Sequence, residues 1–137
     1  MPVDAYGSYA APGGARLHAS PSALRQLAAF VRDGSATEIV LRPPPEGLTE
    51  SGAISGIRVL ADDDGPVSLR AVGSEIEIVG DATARGHLAS TLENLADSPP
   101  TGTSVTRHVD LEYFPGHGFL SETSMWISVY QDAGASD

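Results

Sequence analysis

Apolar residues recur at helical spacing in the first third of the chain. Ser20 precedes this stretch as an N-cap, and Pro21 takes the first helical position, where a missing N–H costs nothing. Gly34 follows the last apolar residue and is typical of a helix C-terminus. The apolar stripe, at positions i, i+3, i+4 and i+7, consists of Leu24, Leu27, Ala28 and Val31. The pattern therefore predicts a helix from Pro21 that ends at Gly34.

A second helical stripe lies in residues 82–97. Asp81 stands before it as an N-cap, and two prolines in the segment 98–102 end it. The stripe consists of Leu88, Leu92, Leu95 and Ala96. This pattern predicts a second helix over residues 82–97.

Elsewhere, apolar and polar residues alternate, which is the pattern of half-buried strands. The predicted strands lie at 16–19, 36–42, 53–61, 67–71, 75–79, 104–113 and 123–130. The connections within 53–79 are too short for helical crossovers, so an antiparallel meander is expected there. The whole pattern predicts an α+β fold, in which a mainly antiparallel sheet of about six or seven strands carries both helices on one face.

A length of 137 residues is typical of one domain. Residues 1–14 contain small residues, glycine and proline without periodicity, and we expect a flexible arm. The single α+β domain is predicted at 15–131 and a C-terminal tail at 132–137. The order strand, helix, strand occurs at 15–42 and again at 75–113, but the similarity is too weak to define a repeat.

Charge limits the classes of partner. The chain has 18 acidic and 8 basic residues, all of the latter arginine, for a formal net charge of −10. Proteins that bind nucleic acids or anionic membranes need clustered basic residues, and none are adjacent here. A basic protein partner would be attracted instead, with the effect mainly on the association rate.

Composition also limits cofactors and location. There is no cysteine, which excludes disulfides, thiolate zinc sites, iron–sulfur clusters and cysteine nucleophiles. No apolar run reaches the length of a membrane-spanning helix, and the N-terminal residues lack the pattern of a signal peptide. We therefore expect a cytoplasmic protein without a cofactor.

The stretch with the most candidate chemistry begins at residue 108. Strand alternation places His108, Asp110 and Glu112 on one face, and His117 follows in a loop. Two imidazoles and two carboxylates suit zinc, iron or manganese, so a metal-binding protein or a metal-dependent hydrolase is one alternative. The same residues also fit a solvated or partner-binding face, or a histidine that tethers the loop. No nucleophile motif accompanies them.

The final predicted strand carries two aromatic residues four positions apart. If Met125, Ile127 and Val129 fill the core, Trp126 and Tyr130 point outward. Exposed Trp and Tyr side chains are favoured binding anchors, because they bury much area and keep a polar tip. The alternative is that the second helix or the loop at 114–121 covers both rings.

The segment from His108 to Val129 resembles the Immunity protein 32 family of bacterial polymorphic toxin systems. The matching features are the histidine-bearing strand, the aromatic-Pro-Gly-His loop that ends at His117, and the final apolar strand. Asp110 stands where a second histidine is expected. The resemblance implies a small α+β protein that binds a cognate toxin and blocks it without catalysis. A nuclease toxin would offer a basic channel that carboxylates complement.

The sequence thus favours a toxin-binding protein, with a metal site as the first alternative. The predicted contact residues are Asp110, Glu112, Trp126, Tyr130, His108 and His117. A second alternative is an oligomeric structural protein that pairs exposed edge strands. The identity of the toxin, the oligomeric state and the strand order stay open at this point.

Overall fold

A computed structural model describes residues 3–10, 13–34, 38–43, 52–61, 65–97 and 108–131. Within these residues the chain forms two helices and nine strands. The helices are α1 (Pro21–Asp33) and α2 (Ala82–Asp97). The strands are β1 (Ala5–Ala10), β2 (Gly14–Ala19), β3 (Glu38–Val40), β4 (Ala53–Ile54), β5 (Gly56–Ala61), β6 (Ser68–Val72), β7 (Glu75–Gly80), β8 (His108–Leu111) and β9 (Trp126–Gln131). Predictions that concern residues 1–2, 11–12, 35–37, 44–51, 62–64, 98–107 and 132–137, including the C-terminal tail, lie outside this description.

The strands form two mixed sheets. One has five strands in the order β4-β1-β2-β9-β8, and the other has four strands in the order β3-β5-β7-β6. The pair β2–β9 and the pair β5–β7 are parallel, and the other pairs of named strands are antiparallel. The α+β class and the two helices are confirmed, but the prediction of one mainly antiparallel sheet is wrong.

The expected meander fails because a strand itself serves as the crossover. The chain leaves β5, forms β6 at the far edge, and returns through a tight turn at Gly73 to place β7 between them. Strands β5 and β7 are therefore parallel neighbours without an intervening helix. The assumption that a short connection excludes parallel pairing is what misled the prediction.

Strand β1 corrects the expectation of an unstructured arm. Residues 5–10 pair with β2 on one side and with β4 on the other. Two of the buried positions in this strand are Ala5 and Gly7, residues too small to produce an apolar periodicity. Its position in the sheet comes from backbone hydrogen bonds that the hydrophobic pattern does not reveal. The extent of the domain at 15–131 stays a prediction.

Both predicted helices and their N-caps are confirmed. The Ser20 hydroxyl accepts the N–H of Ala23 at 3.1 Å. One oxygen of the Asp81 carboxylate accepts the N–H of Ala84 at 2.8 Å, and the other accepts the N–H of Gly65 at 3.1 Å. The backbone N–H of Ala84 and, to a smaller extent, that of Gly65 hold the pKa of the Asp81 carboxyl below its usual value. Asp81 therefore joins the start of α2 to the loop before β6.

Buried polar side chains cap the C-termini of both helices. The Arg85 guanidinium, on α2, donates to the carbonyls of Val31 and Arg32 at 2.8 and 3.1 Å. The Gln131 amide, on β9, donates to the carbonyls of Leu95 and Ala96 at 2.9 and 3.2 Å. Each satisfies carbonyls that have no partner inside the helix, so each orients one element against another. Neither α1 nor α2, the helices in the described part, has the length and apolar character needed to cross a membrane.

One hydrophobic core joins the inner faces of both sheets to the two helices. Its largest fully buried apolar side chains are Leu24, Ile54, Leu69, Ile76 and Leu88. The outer face of each sheet carries the partly exposed residues that alternate with these positions. The two outer faces are therefore the main sheet surfaces available to a partner.

The chain order has an approximate twofold pattern. The hairpin β1–β2, helix α1 and strands β3 and β5 form a first set, and the hairpin β6–β7, helix α2 and strands β8 and β9 form a second. Each set gives its hairpin to one sheet and its last two strands to the other. The order that recurs at 15–42 and 75–113 is thus part of this larger arrangement.

Candidate interaction surface

Four stacked rings cross the outer face of the five-stranded sheet, and we call them the ring ladder. The strand register aligns one ring on each of four neighbouring strands, β1, β2, β9 and β8. The ladder consists of Tyr6, His18, Tyr130 and His108. Neighbouring ring centroids lie 4.9, 4.9 and 5.0 Å apart, with interplanar angles of 8°, 11° and 23°. The rings therefore stand upright on the sheet, face against face.

This geometry determines what the ladder offers to a partner. Proteins that bind single-stranded nucleic acids stack bases on the faces of aromatic side chains. In the ring ladder those faces are used between the rings, so mainly ring edges, hydroxyls and imidazole nitrogens point outward. At the β1 end, the Arg42 guanidinium lies 4.7 Å from the centroid of the Tyr6 ring and forms an ion pair with Asp4 at 3.0 Å. A cation therefore covers that end of the ladder.

Asp110 lies beside the ladder and stays accessible. The Ser128 hydroxyl donates to one oxygen of its carboxylate at 2.6 Å. The other oxygen lies 3.7 Å from Nε2 of His108. The Asp110 side chain is nevertheless 62% exposed. The carboxylate is thus held in place by its neighbours and still available for contact with another molecule.

Trp126 lies against the backbone of β2 at Gly14. A Cβ atom at Gly14 would overlap the indole ring, so only glycine allows this approach. The Arg16 guanidinium lies 6.0 Å from the indole centroid, at the outer limit of a cation–π contact. The register pairs Leu111 with the residue after Trp126, so the exposed Glu112 is next in line opposite the indole-bearing position. An aromatic ring and a carboxylate therefore share this end of the face.

His117 lies apart from the ring ladder. Its Nδ1 accepts the backbone N–H groups of Phe119 and Leu120, both at 3.1 Å. Its ring also contacts the rings of Phe114 and Phe119, at centroid distances of 4.9 and 4.7 Å. Leu120 forms a bridge with Val67, directly before β6 in the other sheet. Of the alternatives for this histidine, the loop tether is the arrangement that the structure contains.

Of the four residues of the metal alternative, His108 and Asp110 lie 3.7 Å apart, but His117 does not join them. Nδ1 of His117 already accepts two backbone N–H groups in its own loop, whereas His108 and Asp110 lie on the sheet face. Among the described residues, no three His, Asp or Glu side chains are grouped as metal ligands would be. The arrangement that would support a metal-dependent hydrolase is therefore missing from this part of the chain.

Sequence reasoning found half of the ring ladder. His108 and Tyr130 were predicted to share a surface, and they stack directly. Tyr6 and His18 were missed. Alternation of Arg16 and His18 with Leu17 and Ala19 is a usable strand signal for His18, but nothing near Tyr6 shows that its strand joins this sheet. Trp126 and Tyr130 are both half-buried, so neither ring is fully exposed or fully covered.

Comparison with known proteins identifies one family. The profile of the family described as Immunity protein 32 matches residues 75–128. This segment runs from the start of β7 through α2 and β8 into β9. Searches of curated proteins and of solved structures found no match. Over residues 75–128 the chain is similar to the Immunity protein 32 family, and the resemblance predicted from its sequence is confirmed.

Proposed function

We propose that this chain is a non-catalytic binding protein that neutralises a cognate bacterial toxin. The observation that carries the proposal is the family match over residues 75–128, because that segment includes β8 and the start of β9. It therefore contributes His108, Asp110 and Trp126 to the outer face of the five-stranded sheet. This face, extended by Glu112, is the proposed contact surface.

The chemistry of this face suits a protein partner. Trp126 and Tyr130 are half-buried, so each is held by the sheet and still exposes part of its ring. Fixed aromatic side chains make efficient binding anchors, because little side-chain entropy is lost when a partner covers them. Asp110 and Glu112 add two exposed carboxylates beside the rings. An aromatic centre with a charged rim is the usual composition of a protein interface.

Charge supports a basic contact surface on the toxin. Residues 108–131 contain three acidic residues and no arginine or lysine, in a chain with a net charge of −10. A nuclease toxin is one class that needs such a basic surface, since it must hold phosphates. Carboxylates on the immunity side would raise the association rate and make it sensitive to salt.

The test first identifies the toxin: the genes neighbouring the one for this chain are searched for a large secreted protein with a C-terminal toxin domain. That domain is then produced separately. Trp126→Ala is expected to raise the Kd about tenfold or more, as for a central aromatic anchor. Glu112→Gln is expected to slow association at low salt, because the exposed carboxylate steers the partner. Glu38→Gln is the matched control, since Glu38 is exposed on the outer face of the other sheet.

The outcomes distinguish an error in the proposed function from an error in the proposed contact surface. Protection of toxin-expressing cells by the unmodified chain, lost with Trp126→Ala while the variant stays folded, supports both. Unchanged affinity of Trp126→Ala and Glu112→Gln would move the contact surface elsewhere. No binding of the unmodified chain to that domain would contradict the proposed function itself.

A further inference from the structure

We infer that the contact surface continues past the end of β8 onto the loop at 113–119, where Phe114 is a second anchor and His117 positions it. The inference rests on the proposed function and specifies the partner further. It assigns to the toxin an apolar pocket edged by lysine or arginine, which receives the Phe114 ring. We call residues 113–119 the Phe114 loop.

Phe114 is the most exposed of the large hydrophobic residues that the structure describes, at 58%. Burying a phenylalanine side chain stabilises a protein by about 1.5–3 kcal/mol, and the fold leaves most of this gain unused here. A single exposed apolar residue is ordinary on a protein surface. Phe114 differs from such a residue in two ways: its loop holds the ring, and exposed carboxylates precede it in the chain.

The loop holds Phe114 through His117. Because Nδ1 of His117 accepts two backbone N–H groups, the neutral imidazole carries its proton on Nε2. The same ring packs against Phe114 on one side and meets Phe119 edge-on. A further bond, from the N–H of His117 to the carbonyl of Phe114 at 2.9 Å, closes the turn at Pro115 and Gly116.

The base of the Phe114 loop is attached to the other sheet. The N–H of Val67 donates to the carbonyl of Phe119 at 2.7 Å, and the N–H of Ser121 donates to the carbonyl of Val67 at 2.8 Å. Between these two bonds, Leu120 is 2% exposed and belongs to the core. The exposed ring thus projects from a segment fixed at its base, so binding would order little additional backbone.

The loop follows β8 and the exposed Glu112 directly in the chain. Asp110, Glu112 and Phe114 follow one another at every second position from the sheet into the loop. Two of these positions carry exposed carboxylates, and the third carries the exposed ring. Since the segment 108–131 has no arginine or lysine, a pocket that receives Phe114 meets an acidic border on this side. Basic residues around the pocket would complement that border.

The first test compares Phe114→Ser with Val72→Ser in binding to the toxin domain defined above. Val72 is the matched control, because it is 51% exposed but lies on β6, in the outer face of the other sheet. We expect Phe114→Ser to raise the Kd about tenfold and Val72→Ser to change it less than about twofold. Both variants should keep their thermal midpoints, since neither side chain is buried.

The second test examines His117 as a positioning residue. His117→Ala removes the acceptor, so the amides of Phe119 and Leu120 should exchange faster with deuterium and the Kd should rise. His117→Asn keeps an acceptor near the position of Nδ1, so it should restore slow exchange and most of the affinity. Slow exchange in His117→Ala would show that the imidazole does not hold the loop.

The outcomes distinguish this inference from the proposed function. If the toxin domain binds the unmodified chain and Phe114→Ser equally well, the second anchor is wrong while the toxin-binding function stands. If Phe114→Ser and Val72→Ser weaken binding equally, the loss is not specific to the loop and the inference is also overturned. Failure of the unmodified chain to bind contradicts both proposals.

Discussion

The outer faces of the two sheets carry different kinds of side chain. Each is a sheet surface on the side away from the common core, and each carries polar side chains in rows across the strands. The five-stranded sheet has the ring ladder and the neighbouring carboxylates. The four-stranded sheet has a row of alternating charges, which we call the charge row: Glu38, Arg58, Glu77 and Arg70.

The charge row compensates itself. The register places opposite charges next to each other across β3, β5, β7 and β6. The Arg70 guanidinium lies 3.8 Å from the Glu77 carboxylate, and the Arg58 guanidinium lies 3.4 Å from that of Glu75. The arginine side chains are about half exposed, whereas the side chains of Glu77 and Glu75 are only 17% and 22% exposed. Ion pairs at a surface contribute modest stability, which salt weakens. They do, however, leave little uncompensated charge for a partner.

The ring ladder has the opposite properties. Its contacts are between ring faces, which salt does not screen, and its polar edges point away from the core. The nearby Asp110 and Glu112 have no arginine on β8 or β9, and the nearest strand that carries one on this face is β2, where Arg16 is in register with Ser128. The difference teaches that a face with exposed carboxylates and fixed rings is the better candidate for binding. A face with paired charges is the better source of control variants.

The largest expected effect is on the ring ladder. Tyr130→Ala removes the ring that stacks against both His18 and His108, and we expect a loss of about 2–4 kcal/mol in the free energy of unfolding. Urea denaturation measures it. The loss should be the same at low and high salt, because stacking is not a charge interaction. A loss that disappears at high salt would show that the ladder acts through charge.

A smaller effect is expected from Gly14→Ala. The new Cβ overlaps the indole of Trp126, so the ring must move, and overpacking of this kind costs about 1–2 kcal/mol. Trp126 is the only tryptophan, so its fluorescence reports the displacement directly.

Gly86→Ala makes the same chemical change in α2, where nothing lies within 4 Å of the new Cβ. It should stabilise the protein by about 0.5–1 kcal/mol, because alanine favours the helix. Unchanged fluorescence in Gly14→Ala would mean that Trp126 does not lie against β2.

The smallest effect is expected in the charge row. Glu77→Gln removes the partner of Arg70 and should lower the free energy of unfolding by less than about 1 kcal/mol. Because the Arg70 side chain is about half exposed, the loss should become smaller in about 1 M sodium chloride, where the Debye length is about 3 Å. A larger loss, or one that salt does not reduce, would show that Glu77 stabilises the fold through more than its ion pair with Arg70.

Local elements of this fold were predictable from local patterns. Ser20 and Asp81 each supply a cap oxygen, and the apolar stripes that follow them extend over the helices observed. The strand at 53–61 was predicted as one element, but it breaks at Ser55 into β4 and β5, which join different sheets. Strand β1 escaped prediction because its buried positions carry small residues.

The candidate site was only partly predictable. Alternation correctly placed His108 and Asp110 on one face of β8, and Trp126 and Tyr130 on one face of β9. Because β8 pairs with β9, these side chains lie on the same face of the sheet. His117 was grouped with them by its nearness in the chain, whereas its two backbone hydrogen bonds hold it in the loop.

Sequence alone determined the α+β class, the two capped helices, the acidic balance and the resemblance to an immunity family, because each depends on neighbouring residues or on composition. Only the tertiary structure decided that β2 pairs in parallel with β9, more than a hundred residues away, and so brings His18 against Tyr130. Almost any residue can form the backbone hydrogen bonds between strands, so the sequence does not show which distant strands pair. Their register, which aligns the four rings, therefore appears only when the chain has folded.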